Sequence, residues 1–285
     1  MTHEELRVWL IAKLKADMPG YNKIPMPKDE DGQRDLLRAM MNIRMPKPIS
    51  EEFLQNLDVY LRRENMMRGI VDERTLEPCS SDPRLYIWQG DITRLRVDAI
   101  VNAANSGMTG CYQPLHNCID NCIHSAAGMR LRLECASIMN RQGHDEPTGQ
   151  AKITSGYCLP AKHILHTVGP IVYGDLTDEH RELLRSSYRS CLRLAEENGL
   201  ESVAFCCIST GVFMFPAKEA ADIAVETVRS YLDEQEQRYS EIGSMIGKAS
   251  GSDSSEERSL YKGVQRVIFN VFSDRDLAIY EEILE

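Results

Sequence analysis

Three side chains that bind soft metal ions occur within one short stretch of the chain, at Cys111, His116 and Cys118. Zinc binds thiolate and imidazole groups readily, and three protein ligands with an open fourth position are typical of a catalytic zinc site. The spacing alone leaves two alternatives open. The cysteines could be small buried hydrophobic residues beside an incidental histidine, or Cys122 could complete a structural site with four ligands.

A carboxylate and two amides lie close to this stretch in sequence. Asp120 stands near the start of a predicted helix, where the helix dipole favours a negative charge whether or not the residue has a function. Because Asp120 is two residues from a candidate ligand, it is also a candidate functional residue. Asn102 and Asn105 follow a buried strand, where asparagine either completes a turn or contacts a ligand.

A second loop has the features of an anion site. It follows an apolar strand and precedes a helix, so its backbone N–H groups could bind a diphosphate. It contains neither GK[ST] nor GxGxxG, which excludes the common nucleotide-binding loops. Its residues, called the 209–213 loop below, are Ser209, Thr210, Gly211, Val212 and Phe213. Phe213 is either a core residue or an aromatic surface beside a sugar.

A third loop follows the first long strand, where Gly90 precedes Asp91 and Ile92. A carboxylate at this position could accept a hydrogen bond from an exocyclic amine such as adenine N6. A simple turn-forming Gly–Asp pair is the plainer alternative.

Strands alternate with helices from Leu85 onwards, which predicts an α/β fold: a three-layer α/β/α arrangement around a mixed central sheet. Such sheets bind ligands beyond the carboxyl ends of their strands. The three loops described above all follow strand ends, so we expect them at one edge of the sheet. The predicted strands are 85–92, 97–104, 151–159, 163–168, 202–209 and 263–272, and the predicted helices are 118–140, 179–198, 217–235 and 277–284.

Three amphipathic helices precede this region, at 4–18, 33–42 and 51–64. They predict an N-terminal helical module over residues 1–75, interpreted as a packing appendage to the α/β domain over 76–285. Two alternatives are that the module covers the active-site edge or binds a substrate protein. The stretch 242–259 is rich in Gly and Ser and predicts a flexible insertion.

Composition narrows the possible partners. A net charge of −10 over 285 residues and a pI near 5.3 argue against binding to a nucleic-acid backbone. We expect no signal peptide and no membrane span, because no apolar run approaches the roughly 18 residues that a span requires. Nine irregularly spaced cysteines indicate reduced thiols and a cytoplasmic location.

Taken together, the motifs resemble those of a macrodomain, the ADP-ribose-binding α/β/α module. QGDI at 89–92, VNAAN at 101–105, the run from Asp120 to Gly128 and ISTGVF at 208–213 stand in the order and spacing of that family. The resemblance covers about residues 84–285. Here GCYQPLHNCID replaces the glycine-rich run of common hydrolytic macrodomains. That replacement and the N-terminal helices resemble the zinc-containing subgroup, which is microbial, often accompanies sirtuin-type ADP-ribosyltransferases and reverses protein ADP-ribosylation.

The resemblance implies a role for each site residue. Cys111, His116 and Cys118 would bind one zinc ion per chain. Asp91 and Ile92 would contact adenine, the 209–213 loop would bind the phosphates, and Asn105 would contact the distal ribose, with Asn102 beside it. Asp120 would orient or deprotonate the nucleophile. Zinc has two possible roles: it could lower the pKa of a bound water to about 7 or coordinate a ribose hydroxyl.

The expected protein is therefore an enzyme, a zinc-dependent hydrolase that removes ADP-ribose from mono-ADP-ribosylated proteins. The expected linkage is an ester to an Asp or Glu carboxylate. Two alternatives remain. The chain could bind ADP-ribose without turnover, or it could deacetylate the free metabolite O-acetyl-ADP-ribose.

Overall fold

The computed structural model describes the backbone of residues 1–250 and 263–285, and the side chains of these residues except 243–250. Its helices are α1 (His3–Asp17), α2 (Glu30–Ile43), α3 (Glu51–Met67), α4 (Ile119–Ala127), α5 (Met129–Gln142), α6 (Asp178–Glu197), α7 (Ala217–Ser250) and α8 (Asp274–Leu284). Its strands are β1 (Val71–Asp72), β2 (Pro78–Cys79), β3 (Asp82–Gln89), β4 (Leu95–Arg96), β5 (Ala99–Ala103), β6 (Ala151–Ser155), β7 (His163–Thr167), β8 (Ser202–Phe205) and β9 (Arg266–Val271).

A seven-stranded sheet in the order β2-β3-β9-β8-β5-β7-β6 forms the centre of the molecule. The five strands from β3 to β7 in this order are parallel, and β2 and β6 pair antiparallel at the two edges. The predicted mixed sheet is confirmed. Because the central strands are parallel, their carboxyl ends share one edge, and the loops after β3, β5 and β8 all begin there.

Helices cover both faces of the sheet and complete the three-layer α/β fold. Helices α4 and α5 pack on one face, while α6, α7 and α8 pack on the other. The central strands are apolar on both sides: Ile100, Val101, Val203 and Ile268 are all fully buried. Burial of these strands holds the sheet edge, and the loops that leave it, in a fixed position.

The three N-terminal helices pack around a second apolar cluster. Leu10, Leu37 and Leu57 lie in it with no exposed surface or nearly none, and Met129 and Cys158 from the α/β part belong to the same cluster. This shared cluster attaches the helices to the side of the molecule that carries α4. A membrane-spanning role has no support here, since no helix within the described ranges combines the necessary length and apolar character.

Several predicted boundaries were wrong. The strands predicted over 151–159 and 202–209 end at Ser155 and Phe205, and three errors concern helices. The single helix expected over 118–140 is broken at Gly128, whose φ of 94° lies in the left-handed region and separates α4 from α5. Helix α7 was expected to end near Gln235 but continues to Ser250, so the first part of the predicted flexible insertion 242–259 is helical, and 251–259 lies outside the described residues. The last helix begins at Asp274 and is capped by Ser273, which accepts from the backbone of Asp276.

Candidate functional site

A buried carboxylate at the start of α4 is the centre of the site. Asp120 Oδ1 accepts a hydrogen bond from Asn102 Nδ2 at 2.8 Å, and Oδ2 accepts from Asn105 Nδ2 at 3.1 Å. Each oxygen thus has its own amide donor, which holds the carboxylate in one orientation. Burial raises the pKa of Asp120 to about 6, although the Asn102 hydrogen bond and the charge of Arg132 act in the opposite direction.

The two asparagines differ in their access to a ligand. Asn105 is exposed in the loop after β5, where its Oδ1 accepts from Gly107 N at 3.0 Å. Asn102 lies within β5 and has no exposed surface. We expected Asn102 to contact the ligand, but the structure places it behind Asp120, where it supports the carboxylate.

The three candidate metal ligands converge. The ligand atoms of Cys111, His116 and Cys118 all lie within 4.8 Å of one another, with 3.6 Å between Cys111 Sγ and His116 Nδ1. Burial, together with the neighbouring Cys111 and Asp120, raises the pKa of the Cys118 thiol to about 12. A divalent cation would supply the charge that favours the thiolate, so this set of soft donors fits zinc. Cys122 lies outside the cluster, with its Sγ 3.8 Å from Arg38 Nη2.

Helix α2 holds the loop that carries these ligands, called the Cys-His-Cys loop (residues 111–118). Arg38 Nη2 donates to the carbonyl of His116 at 2.8 Å and to Asn121 Oδ1 at 3.0 Å. Asn42 Oδ1 accepts from Leu115 N at 3.1 Å. The N-terminal helices therefore contact the site directly and do more than pack against the α/β part.

Arg132 on α5 also links the C-terminal end of α2 to the Cys-His-Cys loop. Its Nη1 donates to the carbonyls of Met41, Asn42 and Arg44 at 2.6–2.9 Å, and its Nη2 donates to the carbonyl of Cys111 at 3.4 Å. The side chain is buried and satisfies carbonyls at the end of α2 that would otherwise lack partners. Sequence reasoning missed Arg38 and Arg132, because a charged residue in a helix usually indicates a solvated face.

The 209–213 loop turns sharply at Ser209, whose φ is 65°. The Ser209 hydroxyl is buried and has no hydrogen-bond partner among the described residues. Gly169 approaches it so closely that an added Cβ would lie 2.1 Å from Ser209 Oγ. Within the described residues, the backbone N–H groups of Gly211, Val212 and Phe213 donate to no protein acceptor. The loop thus offers several unused donors, as an anion site requires.

The remaining predicted residues lie at the end of β3. Asp91 Oδ1 accepts from Thr93 N at 2.9 Å and from Thr93 Oγ1 at 2.7 Å, while Oδ2 forms an ion pair with Arg68 Nη1 at 3.1 Å. Arg68 follows α3, so the N-terminal helices contact this loop as well. The Ile92 side chain is buried in the main core, so it is the backbone at this position that could face a ligand.

Comparison with known proteins gives the family. The Macro domain model matches residues 101–224. A relative from Treponema medium named "Protein-ADP-ribose hydrolase" is 49% identical over 286 residues, with 100% of both chains covered. A "Probable bifunctional ADP-ribose hydrolase/ADP-ribosyltransferase" from Fusarium oxysporum f. sp. cubense is 37% identical over 265 residues, covering 87% of this chain and 40% of that protein.

A solved structure supports the same family. A Trypanosoma brucei macrodomain in complex with ADP-ribose superposes with a TM-score of 0.60 at 28% identity, covering 87% of this chain and 95% of that one. The fold, the family model and the full-length relative lead to one assignment: the chain belongs to the macrodomain family, among the protein-ADP-ribose hydrolases.

Proposed function

We propose that the chain is a zinc-dependent hydrolase that releases ADP-ribose from mono-ADP-ribosylated proteins. The observation that carries the proposal is the Asp120 carboxylate, held by two amides and two residues away from a Cys-His-Cys cluster. The full-length relative is named for this activity.

The nucleotide part of the substrate would lie along the sheet edge. The free N–H groups of the 209–213 loop and the Ser209 hydroxyl suit the diphosphate, and Asp91 suits an adenine amine. The T. brucei macrodomain binds ADP-ribose, which supports the same ligand here. Anchoring the nucleotide at several points makes the attack effectively intramolecular.

Asp120 would act on the nucleophile, and Asn105 would hold the distal ribose beside it. The carboxylate needs no reorientation during the reaction, because Asn102 and Asn105 fix both of its oxygens. Cys111, His116 and Cys118 would hold the zinc ion, which would supply Lewis-acid chemistry when bound.

The substrate class follows from this arrangement. A fixed carboxylate beside a Lewis acid suits hydrolysis of an ester, so we propose Asp- and Glu-linked ADP-ribose as the substrate. The fungal relative, named as both hydrolase and transferase, supports the pairing of this activity with an ADP-ribosyltransferase, which we propose is of the sirtuin type. All nine cysteines are free, in keeping with a cytoplasmic location.

We further propose that residues 1–75 form a helical module and 76–285 the macrodomain. The contacts of Arg38 and Asn42 with the Cys-His-Cys loop give this module a role in shaping the site.

Replacing Asp120 by Asn tests the proposal. The change keeps the shape of the side chain but removes the charge, so kcat for ADP-ribose release should fall about 10²–10⁴-fold. Calorimetric ADP-ribose affinity should stay within about threefold, because the nucleotide contacts are elsewhere. Asp178→Asn is the matched control, since it removes an exposed first-turn carboxylate from α6.

Three results would contradict the proposal. Full activity of Asp120→Asn would remove the carboxylate from the mechanism. Tight ADP-ribose binding by the wild type without any release would identify a binding module. Turnover of O-acetyl-ADP-ribose but not of modified protein would identify a metabolite deacetylase.

A further inference from the structure

A buried histidine lies directly behind the Asn102–Asp120 pair. His166 on β7 is in register with Asn102 on the adjacent parallel strand β5, so both side chains point to the same face of the sheet. Neither side chain has exposed surface. Asn102 Nδ2 lies 3.1 Å from His166 Nδ1, and Thr154 Oγ1 on β6 lies 2.8 Å from His166 Nε2.

The chemistry of these partners determines where the imidazole proton lies. An ionised carboxylate only accepts hydrogen bonds, so the amide of Asn102 must turn its NH₂ group towards Asp120. The second hydrogen of that NH₂ group then points at His166 Nδ1, which must accept it. A neutral imidazole has one donor and one acceptor, so Nε2 carries the proton and donates it to Thr154 Oγ1. Burial lowers the pKa of His166 to about 3, so the ring is neutral near pH 7.

We propose that His166, held as the Nε2–H tautomer by Thr154, is a positioning residue for the reaction. In this tautomer it accepts from Asn102, and Asn102 in turn presents its other hydrogen to Asp120. The opposite tautomer would place an Nδ1–H donor against the NH₂ group of Asn102. The amide would then rotate or withdraw, and Asp120 Oδ1 would lose its 2.8 Å donor.

A metal site is the competing interpretation of the same region. The ligand atoms of His124, Cys135 and His166 lie within 4.8 Å of one another. Neither ring nitrogen of His124 has a hydrogen-bond partner among the described residues, although Nε2 lies 3.5 Å from Asp120 Oδ1. However, a metal on His166 Nε2 would displace the proton that Thr154 accepts. Nδ1 would then have to carry the proton of a neutral ring, in conflict with the donor from Asn102. The hydrogen-bond pattern therefore favours the chain of hydrogen bonds from Thr154 through His166 to Asn102, called the relay below, over a metal site.

Thr154→Val tests the Thr154–His166–Asn102 relay, because it replaces the hydroxyl by a methyl group. Nε2–H then has only the weak, distant acceptor Cys135 Sγ, at 4.0 Å. In full-length protein labelled with ¹⁵N-histidine, the ring shifts should show wild-type His166 as the Nε2–H tautomer and Thr154→Val as a mixture or the Nδ1–H form. Assuming the proposed hydrolase activity, kcat should fall about tenfold with KM nearly unchanged. Thr154→Ser restores the hydroxyl and should restore both readouts.

Thr167→Val provides the matched control. Thr167 is the next residue on β7, and its hydroxyl donates to the carbonyl of Gln150 at 2.8 Å rather than to His166. The Thr167→Val variant should lose a buried hydrogen bond and about as much stability as Thr154→Val. Its kcat and its His166 tautomer should stay unchanged. If it loses as much activity as Thr154→Val, the effect is one of stability and the proposal fails.

The tautomer measurement does not depend on any enzymatic activity. An Nδ1–H or charged His166 in the wild type would overturn the relay, and so would an unprotonated Nε2 together with two bound metal ions per chain. If the tautomer behaves as expected but no ADP-ribose is released by the wild type, the hydrolase assignment fails and the hydrogen-bond relay stands.

Discussion

Gly169→Ala should damage the 209–213 loop by steric contact alone. A Cβ at position 169 would lie 2.1 Å from Ser209 Oγ and 2.6 Å from Ile208 Cγ2, far inside van der Waals contact. Ser209 has little freedom to yield, because its φ of 65° is already unusual and its carbonyl accepts from Phe215 N at 3.0 Å. The loop must therefore move by about 1 Å, and a displacement of that size can cost about 10²-fold in a positioned site.

The expected magnitudes follow from these contacts. Overpacking at a buried position costs about 1–3 kcal/mol, so the free energy of unfolding in urea should fall by that amount. The Kd for ADP-ribose, measured by calorimetry under conditions where circular dichroism shows a folded chain, should rise at least about tenfold. In a Ser209→Ala background the shortest contact is absent, so adding Gly169→Ala should cost less stability than in the wild type.

Gly20→Ala is the control for adding a methyl group. No atom lies within 4 Å of a Cβ at Gly20, so stability should change by less than about 0.5 kcal/mol and affinity should not change. If Gly169→Ala binds ADP-ribose as tightly as the wild type, the close approach to Ser209 does not define the loop and the reasoning is wrong.

Three further predictions concern the metal, the helical module and pH. Cys118→Ser keeps a good N-cap for α4, so the chain should stay folded while bound zinc, measured by plasma mass spectrometry, falls from one per chain to none. Arg38→Met should weaken zinc retention about 10–100-fold in a chelator competition, whereas Arg34→Met, one turn earlier on α2, should not. The hydrogen bond from Arg84 lowers the pKa of Asp82, so its stabilising contribution is present above about pH 4 and is lost as the pH falls through the lowered value. The stability gap between wild type and Asp82→Asn should therefore narrow below pH 4 in acid titrations of urea unfolding; a constant gap would contradict this assignment.

Local sequence patterns predicted most of the elements. A 3.6-residue apolar repeat placed the three N-terminal helices. Short continuous apolar runs placed the main strands, because parallel strands are buried on both faces of the sheet. The motif loops were also predictable, since each directly follows a strand of the parallel sheet. The position of Asp120 in the first turn of α4 was also predictable, because the apolar spacing of the following residues indicates where the helix begins.

The boundaries that failed depended on contacts outside the local pattern. Nothing in the apolar spacing of 118–140 marks Gly128 as a break. There a Cβ would lie 2.9 Å from Leu61 Cδ1 of the distant helix α3, and the backbone has a φ of 94°. The N-terminal helices were predicted, but which of their residues contact the Cys-His-Cys loop was not, because Arg38 and His116 are 78 residues apart.

The sequence by itself determined which chemical groups are available: two thiols and an imidazole in one loop, a carboxylate at a helix start, and two amides at a strand end. Only the tertiary structure decided how those groups are held. Asn102 and His166 are 64 residues apart in sequence and become neighbours through the pairing of β5 with β7. Periodicity reports that a side chain is buried, but a buried polar group needs a specific partner. That partner is chosen by strand order and helix packing, which no local pattern records.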